Sequence, residues 1–185
     1  MSDNLTGLLS PFLRNKRIRM ARPYFKGSIL DYGCGVGLVS ELVPEGSYVG
    51  VDIDRTVLNM AKASFPQASF YTPDEFKKTS GLCFDTIIGL AIIEHMADPL
   101  EFLTGLIPYL KPDGQLVLTT PHPLMEWVLQ VGGKLGLFAK SSHEEHKSLL
   151  DRSRVVGLAN QANLDLVVYK RFLFGANQLI VLKNE

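Results

Sequence analysis

The run Ile29-Leu30-Asp31-Tyr32-Gly33-Cys34-Gly35-Val36-Gly37 constrains this chain more than any other feature. An apolar strand leads directly into three glycines at alternate positions, with an acid just ahead of them. Glycine has no Cβ, so the backbone can turn tightly there and a ligand can lie against the main chain. Fifteen residues past the last glycine, a second apolar strand, Ser47-Tyr48-Val49-Gly50-Val51, ends in Asp52. A carboxylate at the tip of the next parallel strand can accept hydrogen bonds from a ribose diol. Together these features specify a nucleoside-type cofactor at the carboxyl edge of an α/β sheet.

The rest of the chain alternates strand and helix, the pattern of a doubly wound fold. Strands are expected at about 28–32, 47–51, 68–71, 84–90, 115–120, 164–170 and 177–182. Helices are expected at about 36–43, 55–64, 74–79, 99–108 and 146–162. An N-terminal helix is signalled by Ser10-Pro11 and should stop before Pro23. Asp98-Pro99-Leu100-Glu101 opens a helix with a capping acid, proline at the first position and an acid at the third. Lys111-Pro112-Asp113-Gly114 reads as a turn, proline fixing φ and glycine relieving the exit. Only Leu173-Phe174-Gly175-Ala176 and a few flanking residues separate the last two strands, too little for a helical crossover, so that pair must be antiparallel. The expected fold is α/β, a doubly wound, mostly parallel seven-stranded Rossmann-like sheet with a C-terminal antiparallel hairpin. Residues 1–185 then form one domain, with an N-terminal helical segment over 1–26 and a cap or lid insertion over 121–147.

At 185 residues the chain fits a single domain with a sheet covered on both faces. Its 19 basic and 19 acidic residues cancel, which argues against a chain built to hold nucleic acid. No apolar run approaches a membrane span, and the polar start lacks a secretory core, so the expected compartment is the cytoplasm. Cys34 and Cys83 should lie at opposite edges of the sheet, too far apart for a disulfide, and they make no zinc spacing. No metal site is expected.

With this order of segments, the chain resembles a class I S-adenosylmethionine-dependent methyltransferase from about residue 12 to 183. Asp31-Tyr32-Gly33-Cys34-Gly35-Val36-Gly37 is similar to that family's acid-x-Gly-x-Gly-x-Gly loop, and Val49-Gly50-Val51-Asp52-Ile53-Asp54 to its second-strand acid. Phe84 to Met96, with the Glu94-His95 pair, looks like the fourth-strand motif of small-molecule methyltransferases. Leu110-Lys111-Pro112-Asp113-Gly114-Gln115-Leu116 resembles the turn into the fifth strand, with Asp113 where glycine is commoner. The resemblance implies S-adenosylmethionine as cofactor and a role for each matching position. Asp31 would bind the methionine amino group directly or through water, and Gly33, Gly35 and Gly37 would line the methionine and ribose. Asp52 would hold both ribose hydroxyls, Ile53 would lie against the adenine, and Leu90 would make a backbone or packing contact. Asp74 stands near the family's adenine-binding acid, although Tyr71-Thr72-Pro73-Asp74 departs from the usual form.

The family reaction is an in-line displacement at a methyl group already activated by the sulfonium, so the protein chiefly positions and desolvates the reactants. The acceptor should sit beneath Ile92 to Met96 and Thr120-Pro121-His122-Pro123. If the acceptor must lose a proton, histidine is tuned to take it at neutral pH. His122, on a loop leaving the carboxyl end of a strand, is the first candidate, followed by His143 and His146. Glu94-His95 reads as a pair that fixes the loop after strand four, with an acid–base role as the alternative. Arg14, Lys16, Arg17, Arg19, Arg22 and Lys26 read as a solvated helix face, with a phosphate or carboxylate contact as the alternative. The stretch Leu124 to Phe138 is too apolar for an ordinary surface loop. It fits a cap helix or a lid over the acceptor, hinged at Gly132-Gly133, or else a dimer or membrane contact.

Three functions stay open on the residues alone. The first is methyl transfer to a small-molecule acceptor by a monomer or homodimer. The second is a cofactor-binding sensor or partner protein without turnover. The third is a nicotinamide-dependent oxidoreductase, disfavoured because its Gly-x-Gly-x-x-Gly fingerprint, read from Gly35, would need glycine or alanine at Ser40 and because the terminal hairpin is wrong for it. Nucleic-acid methylation is disfavoured too: Leu90-Ala91-Ile92-Ile93 is not an Asn/Asp-Pro-Pro-aromatic stretch, and no Pro-Cys nucleophile is present.

Overall fold

Strands buried on both faces of a parallel sheet must be apolar along most of their length, and four segments meet that demand in parallel register. The computed structural model describes residues 3–79, 81–123 and 150–184, with side chains from residue 11 onward. The chain runs α1 (Asp3–Ala21), β1 (Ile29–Tyr32), β2 (Tyr48–Val51), α2 (Arg55–Ser64), β3 (Ser69–Tyr71), α3 (Pro73–Phe76) and β4 (Phe84–Leu90). It continues through α4 (Pro99–Leu106), β5 (Leu110–Pro121), α5 (Arg152–Gln161), β6 (Leu164–Phe172) and β7 (Asn177–Asn184). The strands form one seven-stranded sheet in the order β3-β2-β1-β4-β5-β7-β6. β7 runs antiparallel to both β5 and β6, while the remaining neighbours are parallel. Strand order reverses between β1 and β4, and it is outside the carboxyl ends at such a switch point that open α/β sheets bind ligands.

Both faces are covered. Leu103 and Leu106 of α4, Val155 and Ala159 of α5 and Phe76 of α3 pack on one side with Leu30, Ile87, Leu116 and Ile180. Ala21 of α1 and Leu58 and Ala61 of α2 pack on the other with Ile29, Ile88, Val117 and Leu179. The helix starts follow from their capping groups. Asp54 accepts from the Thr56 and Val57 amides, and Asp98 from those of Leu100 and Glu101. Thr72 and Glu75 exchange a reciprocal capping box at the head of α3.

Several boundaries differ from those expected. Residues 36–43 make only a 3₁₀ segment, Leu38–Leu42. Its cap is Gly37, which has no side chain to accept a bond, and Val43 is already extended ahead of Pro44. α1 begins at Asp3, well ahead of Ser10, so that Pro11 lies inside the helix. The Lys111–Gly114 turn is absorbed into β5 as a bulge, since Phe84 faces Leu110 while Thr86 faces Gln115. Asp113 there takes a positive φ of 62°. α5 opens at Asp151, whose side chain accepts from the Arg154 amide, and the expected residues 146–149 lie outside the described residues. So does nearly all of the expected 121–147 insertion, including the apolar stretch from Leu124.

At the amino-terminal edge, Asp85 fastens three strands together. Its Oδ2 accepts from the Ser28 amide at 2.8 Å, from Ser28 Oγ at 2.7 Å and from Lys111 Nζ at 2.7 Å. The side chain lies directly over Gly27, where a Cβ would fall 2.2 Å from the same carboxylate oxygen. These bonds, Lys111 first, hold the Asp85 carboxyl well below the usual carboxylate range.

Candidate functional site at the carboxyl edge of the sheet

The glycine loop is anchored on β2. The amides of Gly33 and Cys34 both donate to the Val51 carbonyl, at 2.7 and 3.0 Å. Gly35 and Gly37 then take left-handed conformations, with φ of 52° and 77°. The two differ in surroundings. A Cβ on Gly37 would collide with the Phe70 ring at 2.7 Å, whereas one on Gly35 would meet nothing within 4 Å. Gly37 is therefore bare to let the loop pack, and Gly35 presents bare main chain to open space.

Asp52 closes this loop from the tip of β2. Its Oδ2 accepts from the Gly35 amide at 2.8 Å and its Oδ1 from the Asp54 amide at 3.0 Å. A carboxylate offers about four acceptor positions, so two remain for a ligand's hydroxyls. Beside it Ile53 stands 84% exposed, a large apolar side chain with its face to solvent. An acid with spare acceptors, a bare loop and an exposed apolar platform fit an adenosyl group.

Asp31 is 2% exposed and accepts a hydrogen bond from Tyr48 Oη at 2.8 Å. Burial pushes its carboxyl up to about 7, helped by the nearby Asp52 charge and opposed by the Tyr48 bond. Burial, with Asp31 and Asp52, also drives the Cys34 thiol well upward, so this cysteine is a neutral packing group. Both Cys34 and Cys83 are free. Tyr48 was not singled out from the sequence; its place at the head of a strand beside the acid-bearing one is the signal that could have found it.

Leu90 ends β4, half-buried, and the next residue, Ala91, takes a positive φ of 60° while its amide donates to the Thr119 carbonyl at 2.8 Å. A non-glycine residue held in this conformation is strain stored at the switch point. Asp74 sits exposed in the first turn of α3, and its charge helps raise the Tyr32 phenol, after burial and Tyr109. A cleft of about 320 Å³ lies alongside, between α3 and α4, walled by Tyr32, Pro73, Phe76 and Phe102. None of the loop glycines, Asp52 or Ile53 lines it, so this cleft is separate from the glycine loop and the Asp52 carboxylate.

His122 follows β5, as expected. Its amide donates to the Ala176 carbonyl at 2.9 Å, and Arg171 Nη1 lies 3.5 Å from its Nε2. Burial lowers its proton affinity and the Arg171 charge lowers it further. His143 and His146 lie outside the described residues. Among the described residues no group of three His, Cys, Asp or Glu side chains is placed to hold a metal ion.

The basic face of α1 needs a correction. Arg17 turns inward, and its Nε donates to Asn177 Oδ1 at 3.0 Å. The signal was helical spacing: Arg17 lies four residues before Ala21, which is fully buried, and so shares its stripe. Glu94 is also buried, 1% exposed, at the turn after β4.

A mostly parallel sheet that ends in an antiparallel β7, with an acid and a bare glycine loop at its switch point, has the architecture of a nucleoside-cofactor transferase. The profile of the family described as "Methyltransferase domain" matches residues 7–169. The chain thus belongs to the class I S-adenosylmethionine-dependent methyltransferases. It is 31% identical over 162 residues, 81% of its length and 65% of the relative's, to the ubiquinone biosynthesis O-methyltransferase of Dinoroseobacter shibae. It is 28% identical over 164 residues, 83% of its length and 66% of the relative's, to the enzyme of that name from Ruegeria pomeroyi. The chain thus spans slightly less than two thirds of these two relatives. Among solved structures, the magnesium protoporphyrin IX methyltransferase of Synechocystis PCC 6803, with bound SAH, superposes with a TM-score of 0.69. That match is 17% identical and covers 95% of this chain and 83% of the other, a likeness of fold. Family membership decides against the nicotinamide alternative. At the position where that fingerprint needs glycine or alanine, Ser40 Oγ is buried and donates to the Gly37 carbonyl at 2.7 Å.

Proposed function

We propose that this chain transfers the methyl group of S-adenosylmethionine to a hydroxyl of a small-molecule acceptor. The observation that carries this reading is Asp52, held by the Gly35 and Asp54 amides with acceptor capacity to spare, beside exposed Ile53. Oxygen as the acceptor atom is supported by the O-methyltransferase name of the relatives. Zero net charge supports an acceptor other than nucleic acid. No described helix is long and apolar enough to cross a membrane; in this reading the chain acts in the cytoplasm, as a monomer or homodimer.

When bound, S-adenosylmethionine supplies a methyl group on a positively charged sulfur that leaves as a neutral thioether. In this reading the chain's own residues orient and desolvate. Asp52 accepts from the ribose hydroxyls, Ile53 covers one adenine face, and Asp74 stands by the adenine edge. Gly35, beside Gly33, admits the methionine and ribose against the main chain, Gly37 keeps the loop packed on Phe70, and Leu90 is a packing wall. Asp31 faces the methionine ammonium, which favours its ionised form and draws its proton affinity down from about 7. His122 stands at the exit of β5 on the acceptor side, with its proton affinity lowered, a base that is neutral at physiological pH.

The test combines calorimetric titration with S-adenosylhomocysteine and incubation of methyl-labelled S-adenosylmethionine with a panel of phenols, amines and thiols. Binding with label appearing on a phenol is the expected outcome. Asp52→Ala should weaken S-adenosylhomocysteine by about 1.5–3 kcal/mol, the worth of a hydrogen bond to a charged group. Unchanged affinity would remove Asp52 from its role. Cofactor binding with no labelled product on any acceptor would instead favour a sensor.

A further inference from the structure

Among the described residues three fully buried side-chain polar atoms have no hydrogen-bond partner: Glu94 Oε2, Thr119 Oγ1 and Asn177 Nδ2. Their residues are 1%, 0% and 0% exposed. Buried polar atoms are nearly always paired, so orphans at one spot require an explanation. The topology brings these three to one place. Asn177 opens β7 opposite Pro121, and Thr119 lies two residues earlier on β5, on the same face of the sheet. The Ala91 amide bonds to the Thr119 carbonyl, which sets the turn bearing Glu94 against the end of β5. Arg17 reaches in from α1 and is bonded to the other atom of the same Asn177 amide. This spot lies at the carboxyl ends of β4 and β5, next to the adenosyl crevice.

Arg17 and Glu94 sense each other's charge, yet among the described residues they make no ion pair. A pair built only to hold α1 on the sheet would close to contact. The guanidinium instead spends its Nε on Asn177, and Glu94 keeps one oxygen free. A carboxylate oxygen and a guanidinium that are not paired with each other suit a hydroxyl, which can give its proton to the one while accepting from the other.

We propose that Glu94 Oε2 takes the proton of the acceptor hydroxyl and that Arg17, positioned by Asn177, holds the oxygen as it becomes negative. Thr119 Oγ1 and Asn177 Nδ2 complete the polar wall. The acceptor is then a small molecule with an acidic hydroxyl, a phenol or enol. Its O–H proton passes to Glu94, its oxygen pair forms the new C–O bond, and the pair of the broken C–S bond stays on sulfur. Burial raises the Glu94 carboxyl above the usual glutamate range, offset by its own backbone bond, Thr120, Arg17 and His95, so it is a stronger base than an exposed carboxylate. This assignment rests on the methyl-transfer reading and places the base on the turn after β4, ahead of His122.

The probe is nitrocatechol, whose visible absorbance reports ionisation of its hydroxyl, added to the full chain saturated with S-adenosylhomocysteine. The wild type should bind it in the ionised form at a pH below its ionisation in water. Glu94→Gln should bind S-adenosylhomocysteine with affinity within about twofold of wild type. It should bind nitrocatechol un-ionised and methylate it about a hundredfold more slowly, the scale of a lost general base. Arg17→Met should reduce the ionised fraction. A wild type that binds the probe un-ionised, or not at all, overturns the proposal even if the Glu94→Gln chain does not fold. So does a Glu94→Gln chain with the wild-type spectrum and rate. Failure of S-adenosylhomocysteine to bind the wild type overturns the underlying reading and this proposal with it.

Discussion

The acid that opens the glycine loop carries two opposed demands. In the proposed reading Asp31 is ionised to meet an ammonium group, yet burial holds its proton until about pH 7. An exposed carboxyl in the unfolded chain loses its proton near 3.8. Between those values the folded state binds a proton that the unfolded state has released. Folding stability contributed by this group is therefore present at low pH and declines as pH rises through that window. Asp31→Asn removes the buried charge and leaves an amide oxygen for Tyr48 Oη to bond. Urea unfolding should show the variant more stable than wild type near pH 8, the difference vanishing near pH 4. The same variant should bind S-adenosylhomocysteine about ten- to a hundredfold more weakly, having lost a charge-assisted bond. A variant less stable than wild type at the higher pH would show that Asp31 is held ionised by something other than a ligand.

Elements divide into those that bind and those that hold, and Asp85 shows the second kind. Its contacts join the entries to β1, β4 and β5 at the edge opposite the cofactor crevice. The Lys111 pair is 42% and 38% exposed and is worth little on its own. The Ser28 amide is the larger loss when the acid is removed. Asp85→Ala should therefore cost about 1–2 kcal/mol in urea unfolding and leave S-adenosylhomocysteine affinity unchanged. Because the folded carboxyl is depressed, the stabilisation is full above the ordinary carboxylate range and fades as pH falls below it. An altered cofactor affinity would mean that the two edges of the sheet are coupled. At this scale the sequence was most readable where one residue type admits one explanation. Asp98-Pro99 caps its helix as its chemistry requires, and the short span Leu173–Ala176 forced an antiparallel hairpin. It was least readable where rotation decides. Four basic residues on α1 look alike in composition, and only helix phase distinguishes inward Arg17 from exposed Arg14 and Arg19. Glu94 was visible as part of a motif, but its unpaired oxygen is a property of the packed sheet.

Across the whole molecule, the proposed cofactor residues come from four places: β1 with the loop after it, the loop after β2, the last residue of β4 and the start of α3. The crevice they line is assembled only when the sheet is in register, so the unfolded chain has no comparable site. A ligand that binds the folded state alone stabilises it by RT ln(1 + [L]/Kd), about 2.7 kcal/mol at a hundredfold excess over Kd. A domain of this size shifts by roughly 2–4 °C for each kcal/mol, so thermal unfolding should move up by about 5–10 °C. S-adenosylhomocysteine should produce that shift in the wild type and in Asp85→Ala alike, since that edge does not touch the crevice. Asp52→Ala should show a smaller shift at the same concentration, because its Kd has risen. NADH should produce none: the loop has buried Ser40 where a dinucleotide fold needs glycine or alanine for close packing of helix on strand. A shift with NADH equal to that with S-adenosylhomocysteine would mean that the crevice recognises adenosine alone and that the methionine end, with Asp31, contributes nothing to its choice of ligand.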